Sequence, residues 1–340
     1  MTAFFPHEGS GPQGARAMPG GPLPDTAPRH GSADSREDAL RLEAIRTAGR
    51  ALGIPPEEIT GLETLKKGMT NRSFLFSARG KRYILRLPGE GTDKLIDRKA
   101  EAASYAAIRG HSLSDRLVWM DPETGAKVSE FDETARTCNP LDPSDVRRCM
   151  AFLRAFHGLG LAVPHRFDLF GQIEFYESLR AGRPSRHRDY ARTKAAVFAL
   201  RPFIEAHRRP AVLAHLDSVP DNFLFVKRPD GERILLIDWE YAAMQDPDVD
   251  IAMFGIYALY DRNRMDALID AYYPEGCPPL VREKILACAA VCGLLWSNWC
   301  EFKKLHGVEF GEYAQWQYRY AREYSEEAQQ IFRRHPSPPF

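Results

Sequence analysis

The stretch His215-Leu216-Asp217-Ser218-Val219-Pro220-Asp221-Asn222 is followed by the apolar run Phe223-Leu224-Phe225-Val226, the turn Pro229-Asp230-Gly231, and a second apolar run ending in Leu236-Ile237-Asp238-Trp239-Glu240-Tyr241. Both runs have strand character and Pro-Asp-Gly is turn chemistry, so they predict a hairpin within a β-rich island over 212–237. A hairpin brings its two outer ends together, and this one delivers Asp217, Asn222 and Asp238 to a single end. Taken alone, the first segment also reads as a surface loop around Pro-Asp-Asn. The aspartate that closes an apolar strand argues against that, because a buried carboxylate is costly unless it is paired or bound to a metal.

Two carboxylates and an amide so placed suit phosphoryl transfer from a nucleotide. That reaction needs a carboxylate to accept the hydroxyl proton and oxygen ligands to hold Mg²⁺ against the phosphates. In the H-x-D-x-x-x-x-N arrangement the Asp is the base, the Asn binds metal, and an Asp after the next strand binds metal too. The spacing predicts Asp217 as base and Asn222 and Asp238 as Mg²⁺ ligands, with ATP as co-substrate.

Upstream, 61–87 reads as short strands, Phe74-Leu75-Phe76 and Tyr83-Ile84-Leu85, separated by the turn Ala78-Arg79-Gly80-Lys81. Asp97 to Arg109 is helical, and 117–120 with 126–131 forms another strand pair around Asp121-Pro122-Glu123-Thr124-Gly125. The polar turn Lys66-Lys67-Gly68-Met69-Thr70-Asn71-Arg72-Ser73 offers backbone that could lie over phosphates. Arg86 stands where kinases set a phosphate-binding Lys on a strand, and Glu101 is the helical carboxylate that would orient it by an ion pair. A solvated surface charge is the other reading of Glu101. The region lacks GxGxxG, and the chain lacks Asp-Phe-Gly and Ala-Pro-Glu, which weakens a protein-kinase reading.

Beyond Asp142 the periodicity is chiefly helical, clearest over 146–157, 190–207, 251–260, 282–304 and 313–333. The expected fold is therefore α+β and two-lobed, as in protein kinases. A small β-rich lobe with one embedded helix spans 36–131 and grips the nucleotide phosphates. A larger, mainly helical lobe over 132–333 carries the catalytic loop, the metal site and the acceptor pocket. Residues 1–35, rich in Gly and Pro, cannot bury enough apolar surface to offset ordering entropy and read as a disordered tail, with helix beginning at Ser35; 334–340 reads as a second tail.

Length and charge agree with this division. At 340 residues the chain exceeds the usual limit of one core, and 46 basic residues balance 46 acidic ones, so no overall field holds nucleic acid or an anionic membrane. Small-molecule substrates are the expected partners. The six cysteines include no CxxC pair and read as reduced, buried thiols. No run approaches the roughly 18 apolar residues of a membrane span, and a cytoplasmic location is expected.

The Gly68-Met69-Thr70-Asn71 turn, the Tyr83 to Arg86 strand, the His215 to Asn222 loop, the Leu236 to Tyr241 segment, Leu294-Leu295-Trp296-Ser297 and 308–315 together resemble the choline/ethanolamine kinase family, especially its bacterial choline kinases, within the aminoglycoside-phosphotransferase-like superfamily. The resemblance covers about 62–327. It implies Asp217 as base, Asn222 and Asp238 on Mg²⁺, Arg86 with Gly68, Met69, Thr70 and Asn71 on the ATP phosphates, and the hinge Val128 to Phe131, including Glu130, near the adenine. Leu216 and Val219 depart from the Asn and Gln that eukaryotic members carry there.

A quaternary ammonium has no N–H donor, so its site uses aromatic faces and diffuse negative charge. Trp296 and Trp299 share a helical face, Tyr313, Trp316 and Tyr320 follow on the next helix, and Tyr241, Tyr257 and Tyr260 lie beyond Asp238. In the family's acceptor position these imply a cage of Trp296, Trp299, Tyr257 and Tyr313 with Glu240 nearby; core packing is the other reading of each aromatic. The implied reaction is phosphorylation of choline. Ethanolamine, another amino alcohol or an aminoglycoside remain alternative acceptors, and a nucleotide-binding protein without catalysis is the reading from another class.

Overall fold

A computed structural model describes residues 31–65, 71–89, 92 and 95–334. Of the tails expected over 1–35 and 334–340, residues 1–30 and 335–340 lie outside the described residues, as do Gly68, Met69 and Thr70 of the turn expected to grip phosphates, whereas 31–35 and 334 are helical.

The N-terminal region is a five-stranded antiparallel sheet in the order β1-β2-β3-β5-β4. Its strands are β1 (Thr60–Thr64), β2 (Asn71–Ala78), β3 (Lys81–Pro88), β4 (Leu117–Met120) and β5 (Lys127–Glu130). Helix α1 (Gly31–Leu52) begins four residues before the expected Ser35 and lays Ala44 and Ala48 on the sheet, where they pack with Phe74, Phe76, Leu85 and Val128 in a separate core. Helix α2 (Arg98–Ile108) is capped by Asp97, whose side chain accepts from the backbone N–H groups of Lys99 and Ala100 at 3.0 and 3.1 Å. Its Tyr105 and Ile108 belong to the core of the C-terminal part. The helix thus links the two cores.

The C-terminal part is mainly helical: α3 (Pro143–His157), α4 (Leu169–Ser178), α5 (Tyr190–Phe198), α6 (Arg201–Ala206), α7 (Asp248–Tyr257), α8 (Arg262–Tyr272), α9 (Pro279–Lys304) and α10 (Glu312–Arg334). The hairpin of β8 (Phe223–Arg228) and β9 (Gly231–Leu236) forms as its turn predicts, joined by the short β6 (Arg136–Thr137). Antiparallel β7 (Val212–Ala214) and β10 (Ala243–Gln245) flank the loop that carries Asp217. Helix α9 is apolar enough to span a membrane by length and composition, yet 94% of its apolar window is buried inside the protein. Its Gly293 permits α10 to pack closely, since a Cβ there would meet the Gln317 carbonyl at 2.6 Å.

The helix expected over 190–207 is two, because the ring and missing N–H of Pro202 end α5 at Phe198. Helices α4 and α8 fall where none was expected. Each starts at an aspartate cap, Asp168 or Asp261, and buries residues at helical spacing: Leu169, Ile173 and Tyr176; Met265, Leu268, Ile269 and Tyr272.

Candidate active site

The loop between β7 and β8 holds Asp217 by two devices. Leu216 adopts φ +62°, a conformation that costs a branched residue about 1–3 kcal/mol. What fixes it is Asp250 on α7, which is fully buried. Its Oδ1 accepts the Leu216 N–H at 2.7 Å and its Oδ2 the His215 N–H at 2.8 Å, while the Ser218 hydroxyl donates to the Asp250 carbonyl at 2.7 Å. His157 on α3 shares Oδ2 at 2.9 Å and reaches the Tyr272 hydroxyl through Nδ1 at 2.8 Å. These hydrogen bonds hold the Asp250 carboxyl below the usual range against the upward push of burial.

His215 is structural. The Asp217 N–H donates to Nδ1 at 3.3 Å, so Nε2 carries the proton and donates to the Ile237 carbonyl at 3.0 Å. Burial pushes this imidazole down to about 4 and keeps it neutral. Its ring meets the Trp239 edge at 4.8 Å, and Ile237 N–H bonds to the Asn222 carbonyl at 2.9 Å, tying the two ends of the hairpin together.

The three residues predicted from spacing converge here. Asn222 Nδ2 donates to the Asp217 carbonyl at 2.8 Å and to its Oδ2 at 3.1 Å. Asp217 Oδ1 is buried with no hydrogen-bond partner among the described residues. Burial, together with the charges of Asp238 and Glu240, pushes the Asp217 carboxyl up to about 8. Asp238, itself at φ +73°, is driven the other way: burial opposes its ionisation, but the Arg86 guanidinium, bonded to its Oδ1, and the charge of Lys127 hold it well below the carboxylate range. Adjacent carboxyls are thus pushed to opposite protonation tendencies.

The donor set suits Mg²⁺. Asn222 spends its amide N–H on Asp217, so its Oδ1 remains for a metal, and Asp238 supplies a carboxylate. Among the described residues no cluster of three or more His, Cys, Asp or Glu forms a self-contained metal cage. That fits a cation usually held by one or two protein oxygens plus substrate phosphates and water.

Arg86 and Glu101 do not pair with each other as expected. Arg86 bonds Asp238 and, through Nη2 at 2.8 Å, Glu240 Oε2, which also accepts from Asn71 Nδ2 at 3.0 Å. Glu101 takes Lys127 Nζ at 2.8 Å and Arg98 Nη1 at 2.8 Å. The reason is register: Lys127 is the cross-strand partner of Arg86 and its ammonium takes Glu101, while hydrogen bonds link Arg86 to Glu101 through Glu240 and Arg98. Glu240, placed with the acceptor cage by sequence, has its carboxylate turned to this N-terminal cluster. Of the expected hinge, Val128 is fully buried in the sheet core; Glu130 makes surface ion pairs with Lys81 and Arg116 at 2.9 and 3.2 Å, and Phe131 lies under the Arg82 guanidinium at 4.9 Å.

Four of the five expected acceptor residues form one aromatic wall. Ring centroids run from Tyr241 to Trp296 at 5.6 Å, Trp296 to Trp299 at 5.6 Å, Trp299 to Phe310 at 5.2 Å, Phe310 to Tyr313 at 6.4 Å and Tyr313 to Tyr257 at 5.7 Å. Trp296 Nε1 is spent on Met253 Sδ at 3.0 Å, and the Tyr257 hydroxyl donates to Asp221 at 3.0 Å. Trp316, Tyr320 and Tyr260 turn away: Trp316 packs on Tyr320, which stacks on Tyr324 and donates to the Tyr260 carbonyl. Unforeseen is Lys303, 5% exposed, whose ammonium lies 5.8 Å from the Trp299 ring centroid with no ion pair among the described residues.

A sequence profile described as choline/ethanolamine kinase matches residues 62–269, a span that contains the His215 to Asn222 loop, Asp238 and Asp250. This chain belongs to the choline/ethanolamine kinase family. It is 25% identical over 260 residues to the protein LicA of Haemophilus influenzae, covering 73% of this chain and 75% of that one. The crystal structure of choline kinase LicA from Streptococcus pneumoniae superposes with a TM-score of 0.73 at 26% identity, covering 86% of this chain and 99% of that one. A structure of LicA in complex with AMP gives 0.72 at 27% identity, over 84% and 98%. The fold is protein-kinase-like, and the family makes this chain a nucleotide-using phosphotransferase that acts on an alcohol group.

Proposed function

We propose that the chain transfers the γ-phosphoryl group of Mg-ATP to the hydroxyl of choline, releasing ADP and phosphocholine. Residues 36–131 serve as the nucleotide-gripping lobe and 132–333 as the lobe that carries the chemistry. Asp217 Oδ1 takes the hydroxyl proton as the acceptor oxygen bonds to the γ-phosphorus and the bond to the β,γ-bridging oxygen breaks. The observation that carries this reading is that buried, unpartnered oxygen. Asn222 and Asp238 would hold Mg²⁺, which neutralises charge on the phosphates when bound. Arg86 and Asn71, with the turn at 68–70, lie against the phosphates, and 128–131 borders the adenine. A permanently charged, forked guanidinium suits phosphate.

For the acceptor, the wall of Tyr241, Trp296, Trp299, Tyr313 and Tyr257 offers faces and edges rather than a ring of carboxylates, which favours a quaternary over a primary ammonium. Helix α9 packs into the interior of the protein, as a core helix does.

The test is ADP release by purified protein with Mg²⁺ and choline, ethanolamine, an aminoglycoside or no acceptor. Turnover that depends on choline and stops with EDTA is expected. Turnover with another acceptor would retain the Asp217 assignment and discard the cage; none with any acceptor would leave a nucleotide-binding protein.

A further inference from the structure

Lys127 and Arg86 face each other across β5 and β3, two cations on adjacent strands. Each is fixed by a different carboxylate. Lys127 Nζ bonds Glu101 Oε1 at 2.8 Å and the Tyr105 hydroxyl at 2.9 Å. Glu101 Oε2 is taken by Arg98 Nη1 at 2.8 Å, and the same nitrogen lies 3.5 Å from Glu240 Oε2. Arg98 is confined in turn: it donates to the Thr92 hydroxyl at 3.2 Å, and it lies so close to Gly125 (φ +76°) that a Cβ there would meet its Cδ at 2.3 Å. Both oxygens of Glu101 are therefore occupied by cations other than Arg86.

We propose that Lys127 is a positioning residue for the nucleotide site: from β5 it holds Glu101 on α2, and so leaves the β3 residue Arg86 to serve the metal and phosphate end. This rests on the phosphate role given above to Arg86. Three cations, Arg86, Arg98 and Lys127, balance three carboxylates, Glu101, Asp238 and Glu240, in one cluster. An incoming metal competes with Arg86 for Asp238, and an incoming phosphate offers Arg86 a new partner. The Lys127–Glu101 pair contains neither Asp238 nor Arg86 and need not exchange. With Glu101 1% and Lys127 7% exposed, the pair is desolvated, so its loss strands a buried charge rather than a solvated one. Through Arg98 and Glu240, movement of Glu101 reaches the group that Arg86 and Asn71 share.

The experiment compares Lys127→Met, Lys127→Arg, Glu101→Gln and the Lys127→Met/Glu101→Gln double variant. Mg-ADP binding is measured by calorimetry, KM for ATP and for the acceptor by steady-state kinetics, and folding by thermal denaturation. Lys127→Met, which strands the buried Glu101 charge, is expected to weaken Mg-ADP and raise KM for ATP by on the order of tenfold or more, with KM for the acceptor unchanged. Lys127→Arg should recover most of the loss, and the double variant, which removes the charge from both sides and leaves no stranded ion, should be no worse than either single one. Wild-type nucleotide binding in Lys127→Met, even with a lowered melting temperature, would make the pair structural only and overturn the proposal. Additive losses in the double variant would overturn it differently, placing Lys127 on the nucleotide itself. Because calorimetry needs no acceptor, failure of the choline reading would leave this result interpretable, and wild-type protein that binds no nucleotide would instead sink the proposed function.

Discussion

Replacement of Asp250 tests whether the catalytic loop is held from below by α7. Asp250→Ala removes the acceptors of two buried backbone N–H groups, those of His215 and Leu216, each costing about 1–3 kcal/mol when left unpaired. It also removes the anchor that offsets the unfavourable φ of Leu216. The sum is about 4 kcal/mol, a large share of the roughly 5–15 kcal/mol that keeps a domain folded. Asp250→Asn should be gentler, about 2 kcal/mol. One oxygen can still serve Leu216, and His157 can change tautomer to accept from the new amide, which leaves chiefly the His215 N–H unpaired. The expected outcome by thermal denaturation is a melting temperature lowered by several degrees for Asn and more for Ala. In the folded fraction kcat should fall at least a hundredfold while nucleotide affinity changes little. An Asp250→Ala protein with wild-type kcat would refute the reasoning, since the Asp250 carboxylate is the acceptor for both the His215 and the Leu216 N–H.

Asp217→Asn should abolish turnover yet stabilise the ligand-free protein. A carboxyl whose folded pKa is raised to about 8 costs stability progressively as pH rises from its ordinary value near 4 to 8. The variant's gain in melting temperature should therefore be large at pH 8 and small at pH 5; a gain independent of pH would dismiss the linkage. Trp296→Ala should raise KM for choline at least tenfold more than KM for ATP, and equal effects on both would reduce Trp296 to core packing. Lys303→Met removes a cation that covers the Trp299 face, so KM for choline should fall severalfold while KM for its uncharged carbon isostere, 3,3-dimethylbutanol, stays put. A fall for both acceptors would mean a change of shape rather than of charge.

The catalytic loop could be read from sequence because its geometry is local: Asp217 and Asn222 are five residues apart, and the hairpin turn fixes where Asp238 returns. Its support could not. Asp250 and His157, which hold the loop, are 93 residues apart, and nothing in either segment marks them as partners. The pairing of Arg86 with Glu101 failed for a related reason. Analogy of strand and helix pairs the two, whereas the actual partner of Glu101 is decided by strand order: β5 lies beside β3, so a lysine 26 residues beyond Glu101 arrives next to Arg86 and takes the carboxylate.

The aromatic wall shows the same limit in another form. Tyr313, Trp316 and Tyr320 share a face of α10, so periodicity groups them, yet only Tyr313 reaches Tyr257 and Phe310. Seven residues of helix advance about 10 Å along its axis, farther than one pocket extends, so Tyr320 meets Tyr260 and Tyr324 instead. Sequence period assigns a side chain to a face, but the crossing of α10 over α9 and α7 decides which turn of that face meets the site. Lys303 follows from the same rule in reverse: one turn beyond Trp299 on a buried stripe, it is carried into an aromatic environment that its chemical type gives no reason to expect.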